Sequence, residues 1–310
     1  MRAVACCNLC TDAITLIPYN RKMATPLVSI VIPTFNRPEG LLKCLHSLSV
    51  QTADPSTWEA IVVNDGGMDV SGTVEAFIGR MAVILLNQEN QGPASARNRG
   101  AKASKAGLIA FLDDDCVAEP EWVGRMLEHA RPGELIGGEV KNRLTENIFS
   151  ETCQTLIDYL YERLDTTTDM FFTSNNMCIH AEDFHRIGGF DTGFRTSAGE
   201  DREFCVRAAT SGVRLRWVPE IRIGHMHDLK IRSFMRLHFK YGRAAVTYRD
   251  SVRKLNIEER TNGGSGFYLG LLLHPFSKKL KKPLKQSMLL GVSQACTISG
   301  YLYERFLTRR

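Results

Sequence analysis

Residues Gly107-Leu108-Ile109-Ala110-Phe111-Leu112 run without a polar interruption into Asp113-Asp114-Asp115. An apolar run of that length with no alternation reads as a strand buried on both faces, the pattern of a parallel sheet. Open α/β sheets bind ligands off the carboxyl ends of their strands, and the three acids stand at such an end. Three adjacent carboxylates repel one another when all are ionised. A hard divalent ion, Mg²⁺ or Mn²⁺, relieves that repulsion, and it is held by one or two carboxylates together with substrate phosphates. In an extended segment Asp113 and Asp115 share a face while Asp114 points away. The plainer alternative is a solvated acidic turn that caps the following helix.

The surrounding chain repeats the strand-then-helix pattern. Leu27–Ile32 is a β-branched strand closed by Pro33-Thr34, with Asn36 placed to cap the next helix and Pro38 in its first turn. Leu41, Leu42, Leu45 and Leu48 follow at helical spacing. Trp58–Val63 is a second strand, ending in Asn64-Asp65-Gly66-Gly67, and a helix with Val74, Phe77 and Ile78 comes after it. Met81–Leu86 is a third strand, and Gly92-Pro93 opens an Ala-rich helix that carries Arg97, Asn98 and Arg99. Gly107–Leu112 is the fourth. Four such units imply parallel pairing and ligand-facing loops at 33–37, 64–69, 87–93 and 113–116.

Past residue 134 the period weakens. Leu135–Val140 is expected as an edge strand, 149–164 as a helix, 175–179 as a strand, Ala181–Arg186 as a short helix, and Val213–Val218 as a strand. Ile231–Tyr248 reads as a long basic helix, and 262–266 as a flexible joint. The chain then divides into a loose extension (1–25), an α/β domain (26–250, in halves 26–133 and 134–250), and a linker with a basic amphipathic helical tail (251–310).

The chain has 310 residues, 44% of them hydrophobic, which is ample for a self-sufficient core. Its nine cysteines are an odd number and mostly lie inside apolar patterns, which points to buried thiols in a reducing, cytoplasmic setting. Cys6, Cys7 and Cys10 cluster, but no second ligand pair at zinc spacing accompanies them. The net charge of +5 is concentrated at 202–216, at 222–253 and in Lys278, Lys279, Lys281, Lys282 and Lys285. Such patches suit phosphates or an anionic membrane surface. Nucleic acid is not expected, because aromatics do not interleave the basic stretches. No apolar run approaches the ~20 residues of a spanning helix. No secretory signal pattern opens the chain, and order is expected to begin just after Met23.

Asp65 follows a buried strand, so it is a candidate to accept from a base N–H or a ribose hydroxyl, or else a plain turn acid. Arg97 or Arg99 can face phosphate or base from a helix whose amino end offers N–H groups to an anion. Glu200-Asp201 stands at a helix start, as a general base or as acids that complement the helix dipole. His225 and His227 flank Met226, where a histidine completes a metal shell, touches a diphosphate, or is simply structural. Neither Gly-x-Gly-x-x-Gly after the first strand nor a P-loop is present, which weighs against a dinucleotide fold and a P-loop nucleotidase.

These stretches together resemble the family-2 glycosyltransferases, which have the GT-A fold. The residues that carry the resemblance are 28–37 (Val-Ser-Ile-Val-Ile-Pro-Thr-Phe-Asn-Arg), 62–67, 90–100 (Asn-Gln-Gly-Pro-Ala-Ser-Ala-Arg-Asn-Arg-Gly), 109–115, Gly188-Gly189-Phe190-Asp191, 199–204 and Gly224-His225-Met226-His227. The resemblance spans roughly 26–250. It implies a Rossmann-like, mostly parallel central sheet flanked by helices, with a helical tail. It also implies that Pro33, Thr34, Phe35 and Arg37 line the nucleoside pocket, Asp65 binds the base, and Arg97 holds base or phosphate. Asp113 contacts ribose or the metal shell, Asp114 belongs to the donor-binding set, Asp115 ligates Mg²⁺ or Mn²⁺, and His225 reaches the diphosphate or metal. Asp201 is the implied base, with Glu200 as its competitor. The usual Glu-Asp-x-Asp-Leu reads Glu-Asp-Arg-Glu-Phe here, so the role of Glu203 is open.

The implied reaction is a single inverting displacement, from a nucleotide-diphosphate sugar to a hydroxyl acceptor that is a glycan, a lipid-linked carrier or a small molecule. A Gln-x-x-Arg-Trp sequence is absent, which implies transfer of one sugar. The rivals are a binding protein of the same fold without transfer activity, and a sugar-nucleotide pyrophosphorylase. The second needs a Gly-rich basic loop after the first strand, which Pro33–Arg37 is not. The tail at 265–310 is expected to touch the inner face of a membrane as a peripheral element, or else to pack on the domain.

Overall fold

A computed structural model of the protein describes residues 14–15, 25–163, 171–194, 198–255 and 265–307. Strand and helix alternate from the start: β1 (Ile14–Thr15), β2 (Val28–Thr34), α1 (Pro38–Ser49), β3 (Trp58–Asn64), α2 (Ser71–Glu75), β4 (Val83–Asn87), α3 (Pro93–Ala103) and β5 (Leu108–Leu112). Every residue of β2, β3 and β5 is buried, as continuous apolar runs require of strands covered on both faces. β2 pairs in parallel with β3 and β5, and β3 with β4. Alternate residues of β2 enter different cores. Ile30 and Ile32 pack with Leu41, Leu45 and Leu48 of α1 on one face. Val31 packs with Ala94 and Ala96 of α3 and with Phe111, Phe184, Phe190 and Phe204 on the other.

The chain continues through β6 (Cys116–Ala118), α4 (Trp122–His129), β7 (Glu134–Asn142), α5 (Ile148–Tyr161), β8 (Asn176–His180), α6 (Ala181–Ile187), α7 (Glu200–Thr210), β9 (Arg214–His225), α8 (Ile231–Lys254), α9 (Ser265–Ser277) and α10 (Pro283–Leu307). Among the described residues these strands form one sheet in the order β1-β4-β3-β2-β5-β8-β7-β9-β6. β8 runs antiparallel to β5 and joins both halves of the domain into a single ladder.

β7 is not the edge strand its fading period suggested. It lies between β8 and β9. Gly137 faces the Phe172 ring and Gly138 the Ile221 carbonyl, both too close for a side chain, so the glycines that blurred the pattern are what lets β7 sit inside. β8 pairs with Leu135–Gly137 only. Beyond that point the Gln154 side chain substitutes for a strand: its Oε1 accepts the Asn142 N–H at 2.9 Å and its Nε2 donates to the Val140 carbonyl at 3.2 Å.

The helical tail packs on the domain. α10 crosses α8 where Gly242 meets the Thr297 carbonyl and Gly300 meets the Phe239 carbonyl, contacts that a Cβ would block. Tyr159 of α5 donates to the Phe267 carbonyl of α9 at 2.6 Å. The boundary drawn at 250/251 falls inside α8. No helix of the described residues is long and apolar enough to cross a membrane. The joint at 262–266 lies largely outside the described residues, as do Cys6, Cys7 and Cys10. The described cysteines are free thiols.

Candidate active site at the carboxyl edge of the parallel strands

β2, β3, β4 and β5 end side by side, so the loops that follow them meet at one edge. Asn36 does not cap α1 as expected. It adopts a left-handed backbone (φ 56), and its Oδ1 accepts the Met68 N–H at 2.8 Å, which staples the loop after β2 to the loop after β3. Gly67 (φ +85) lies against that carboxamide, where a side chain would collide with it. Phe35 is 45% exposed beside this staple, and Pro33 and Thr34 close β2.

The acid triplet forms a tight turn rather than an extended segment. The Cys116 N–H donates back to the Asp113 carbonyl at 3.0 Å, and the three carboxylates diverge. Asp113 accepts from Arg97 Nη2 at 2.6 Å. Asp114, 4% exposed, accepts from Thr34 Oγ1 at 2.8 Å and Arg37 Nη1 at 3.0 Å. Asp115 accepts from Arg37 Nη1 at 2.8 Å and lies 3.3 Å from His225 Nε2. Each carboxylate thus has its own cationic or donor partner, which offsets their mutual repulsion. Burial raises the Asp114 carboxyl to about 7 against the pull of Arg37. Burial also opposes ionisation of Asp115, but the His225 hydrogen bond and charge, joined by Arg37, prevail and hold it well below the usual carboxylate range.

His225 reaches this corner because the end of β9 pairs with β6, with Cys116 opposite His225, and because the Met226 N–H donates to the Asp115 carbonyl at 2.8 Å. Burial disfavours the charged imidazole, yet the hydrogen bond and charge of Asp115 raise His225 above its ordinary value. Ligand atoms of Asp115, Cys116 and His225 lie within 4.8 Å of one another. Cys116 is fully buried and its soft sulfur is the poorer match to a hard divalent ion. That leaves a carboxylate oxygen and an imidazole nitrogen. This set fits a divalent cation that takes its remaining ligands from water and a diphosphate.

Asp65 accepts from Gln88 Nε2 at 2.6 Å and from the Gln91 and Gly92 N–H groups, each at 2.9 Å. It therefore fixes the loop that leads into α3. Gln88 was not singled out from the sequence, since nothing local ties it to Asp65, which follows β3.

Arg97 is 2% exposed, and its two terminal nitrogens meet acids from distant segments: Asp113, and Glu200 Oε1 at 3.0 Å. Both nitrogens are thus donated to carboxylates rather than held open toward an anion. Glu200 is 3% exposed and its Oε2 has no hydrogen-bond partner among the described residues. Burial and the neighbouring Asp201 charge raise Glu200 to about 7, against Arg97. Asp201 is only partly buried. It accepts from the Arg202 N–H at 2.8 Å and the Ser174 N–H at 3.4 Å, and burial raises its pKa. Glu203 faces away from this centre and grips Arg207 through two bonds of 2.8 and 2.7 Å. The acid that departs from the family pattern is thus a structural clamp. Asn98 exchanges two hydrogen bonds of 2.8 Å with the Phe190 backbone, which accounts for the Gly188-Gly189-Phe190-Asp191 turn.

A parallel α/β sheet with acids at its carboxyl edge, extended by antiparallel strands that bring a second acid pair to the same place, is the architecture of the GT-A glycosyltransferases. The chain belongs to glycosyl transferase family 2, whose family model matches residues 29–198. It is 30% identical over 275 residues to a validoxylamine A glucosyltransferase of Streptomyces hygroscopicus subsp. limoneus, a match covering 74% of this chain and 60% of that protein. It is 36% identical over 125 residues to the glycosyltransferase AglE of Haloferax volcanii, covering 37% of this chain and 40% of that one. The fold resembles the mannosyltransferase PcManGT from Pyrobaculum calidifontis in complex with GDP-Man and Mn²⁺, with TM-score 0.61, 15% identity, and coverage of 94% and 90%. It also resembles S. aureus TarS 1-349 in complex with UDP-GlcNAc, with TM-score 0.52, 16% identity, and 91% of each chain covered.

Proposed function

We propose that the protein transfers one sugar from a nucleotide-diphosphate sugar to a hydroxyl acceptor, with inversion and with a bound Mg²⁺ or Mn²⁺. The observation that carries this reading is the Arg97 guanidinium, on which an acid of the donor corner (Asp113) and an acid of the base pair (Glu200) meet. Pro33, Thr34, Phe35, Arg37 and Asp65 would hold the nucleoside, and Asp113 and Asp114 the ribose side. Asp115 and His225 would hold the cation, which when bound neutralises charge on the departing diphosphate. Asp201 takes the acceptor proton as the acceptor oxygen bonds to the anomeric carbon and the sugar–phosphate bond breaks on the opposite face. Arg97 holds both acid sets in place rather than touching phosphate. Similar proteins bind GDP-Man with Mn²⁺ or UDP-GlcNAc, which supports a nucleotide-sugar donor.

Thermal shift with nucleoside diphosphates tests the donor corner. Stabilisation by at least one of them is expected only with Mg²⁺ or Mn²⁺, and it should vanish in Asp115→Ala. A diphosphate that stabilises the chain equally in EDTA would remove the cation from the reading. Products are expected to carry a single added sugar, and a ladder of longer chains in mass spectrometry would contradict that.

The tail supports peripheral contact with an anionic membrane, in keeping with a cytoplasmic enzyme. Leu284, Met288, Ile298, Leu302 and Phe306 recur at helical spacing along one side of α10 and are exposed, beside Lys278, Lys279, Lys281, Lys282 and Lys285. Co-sedimentation with vesicles containing anionic lipid is expected, weakening as salt rises. It should drop severalfold in Leu284→Glu/Met288→Glu, and sedimentation that ignored both would exclude this face.

A further inference from the structure

We propose that the groove between the free end of β7 and α5 is a saccharide subsite, occupied by a second ring of the acceptor. The word acceptor rests on the glycosyl-transfer reading above; the binding itself does not. The groove encloses about 350 Å³, within the range of small-ligand sites. It exists because β8 stops short. Past Gly137 no strand among the described residues covers that side of β7, and Gln154 satisfies the exposed backbone without filling the space.

Its lining has two chemistries. Val140, Ile157, Tyr161 and Trp217 supply an apolar side, and Glu151 and Asp158 supply carboxylates. Trp217 is half-buried and held by neighbouring rings. Phe172 stacks on it with centroids 6.2 Å apart, and Tyr161 meets it edge-on at 5.5 Å. A ring immobilised in this way offers a flat platform at little entropic cost on binding. A pyranose has the matching surface, an apolar C–H face and a rim of hydroxyl donors.

The charge selects further. Glu139, Glu151 and Asp158 line the groove against Lys141, which is itself paired with Glu139 at 3.1 Å. That balance disfavours phosphate and carboxylate ligands, and favours hydroxyl or ammonium donors. The groove also borders the base rather than the nucleotide. Tyr161 packs on the Phe171 ring at 5.4 Å, and Ser174, three residues on, donates its N–H to Asp201 at 3.4 Å.

Tryptophan fluorescence of the full chain tests this directly. The sequence has three tryptophans, and Trp58 and Trp122 are each only 1% exposed, so a ligand-dependent change reports on Trp217. The probes are cellobiose, maltose, glucosamine and glucuronate, without nucleotide. A saturable change is expected with at least one disaccharide or with glucosamine, and a much weaker one with glucuronate. Asp158→Ala and Glu151→Gln leave the fluorophore in place and are each expected to raise the half-saturating concentration about tenfold, the worth of a hydrogen bond to a charged group. No saturable response to any probe, a response that both substitutions leave unchanged, or an equal response to glucuronate overturns the subsite. Donor hydrolysis by the unaltered chain is read separately: hydrolysis without any saccharide response overturns the groove alone.

Discussion

Asp201→Asn is expected to lower turnover by about 10²–10⁴-fold, the usual worth of a positioned general base, with nucleoside diphosphate affinity nearly unchanged. Two acids stand at the start of α7, in different surroundings. Glu200 is enclosed and committed to Arg97, whereas Asp201 is partly exposed and, among the described residues, accepts from backbone N–H groups. Glu200→Gln keeps an oxygen for Arg97 and is expected to cost far less. The pH profile carries a second signature. Burial raises the Asp201 pKa, and a base works only when deprotonated. Turnover should therefore rise with pH through a limb that lies above the ordinary aspartate range. In Asp201→Asn that limb should disappear from the residual rate. If Glu200→Gln proves the more damaging change in kcat at equal donor KM, the assignment of the base is reversed.

Arg97→Ala is expected to destabilise the fold by about 3–5 kcal/mol, measured by urea unfolding, because it strips the partner from buried Glu200 and from Asp113 at once. Arg97→Lys should rescue only part of this, since one ammonium cannot reproduce a fork with separate bonds to two carboxylates. In a Glu200→Gln background the Arg97→Ala cost should shrink, because no buried charge is then left alone on that side. A double-mutant cycle reads the coupling directly. A loss below about 1 kcal/mol, unchanged by Glu200→Gln, would mean that solvent or a rearranged neighbour satisfies both acids, and that Arg97 does not join the two halves of the site.

The four parallel strands were legible because a run such as Ile30-Val31-Ile32 or Leu108–Leu112 is a local statement about burial on both faces. The candidate site was legible as a set of loops, because polar residues cluster after each strand. Their wiring was not. Asp113, Asp114 and Asp115 look alike along the chain, and only the turn sends them to Arg97, Thr34 with Arg37, and His225. Helical spacing places Arg97 on a face of α3 but says nothing of α7, whose acids lie about a hundred residues away. Asn36 carried a good capping signal, which a contact with the Met68 backbone overrode. β7 misled for the same reason, since glycines at 137 and 138 weaken a periodic pattern in order to admit neighbours from distant segments.

The antiparallel seam between β5 and β8 also bears on how such a molecule can work. A continuous hydrogen-bonded lattice joins the strands on either side of the candidate site, so those two sides cannot swing like jaws on a hinge. Access to the candidate site is then set by the segments that follow β2, β3, β4 and β5. Changes in substrate choice can therefore accumulate in those segments while the lattice stays as it is.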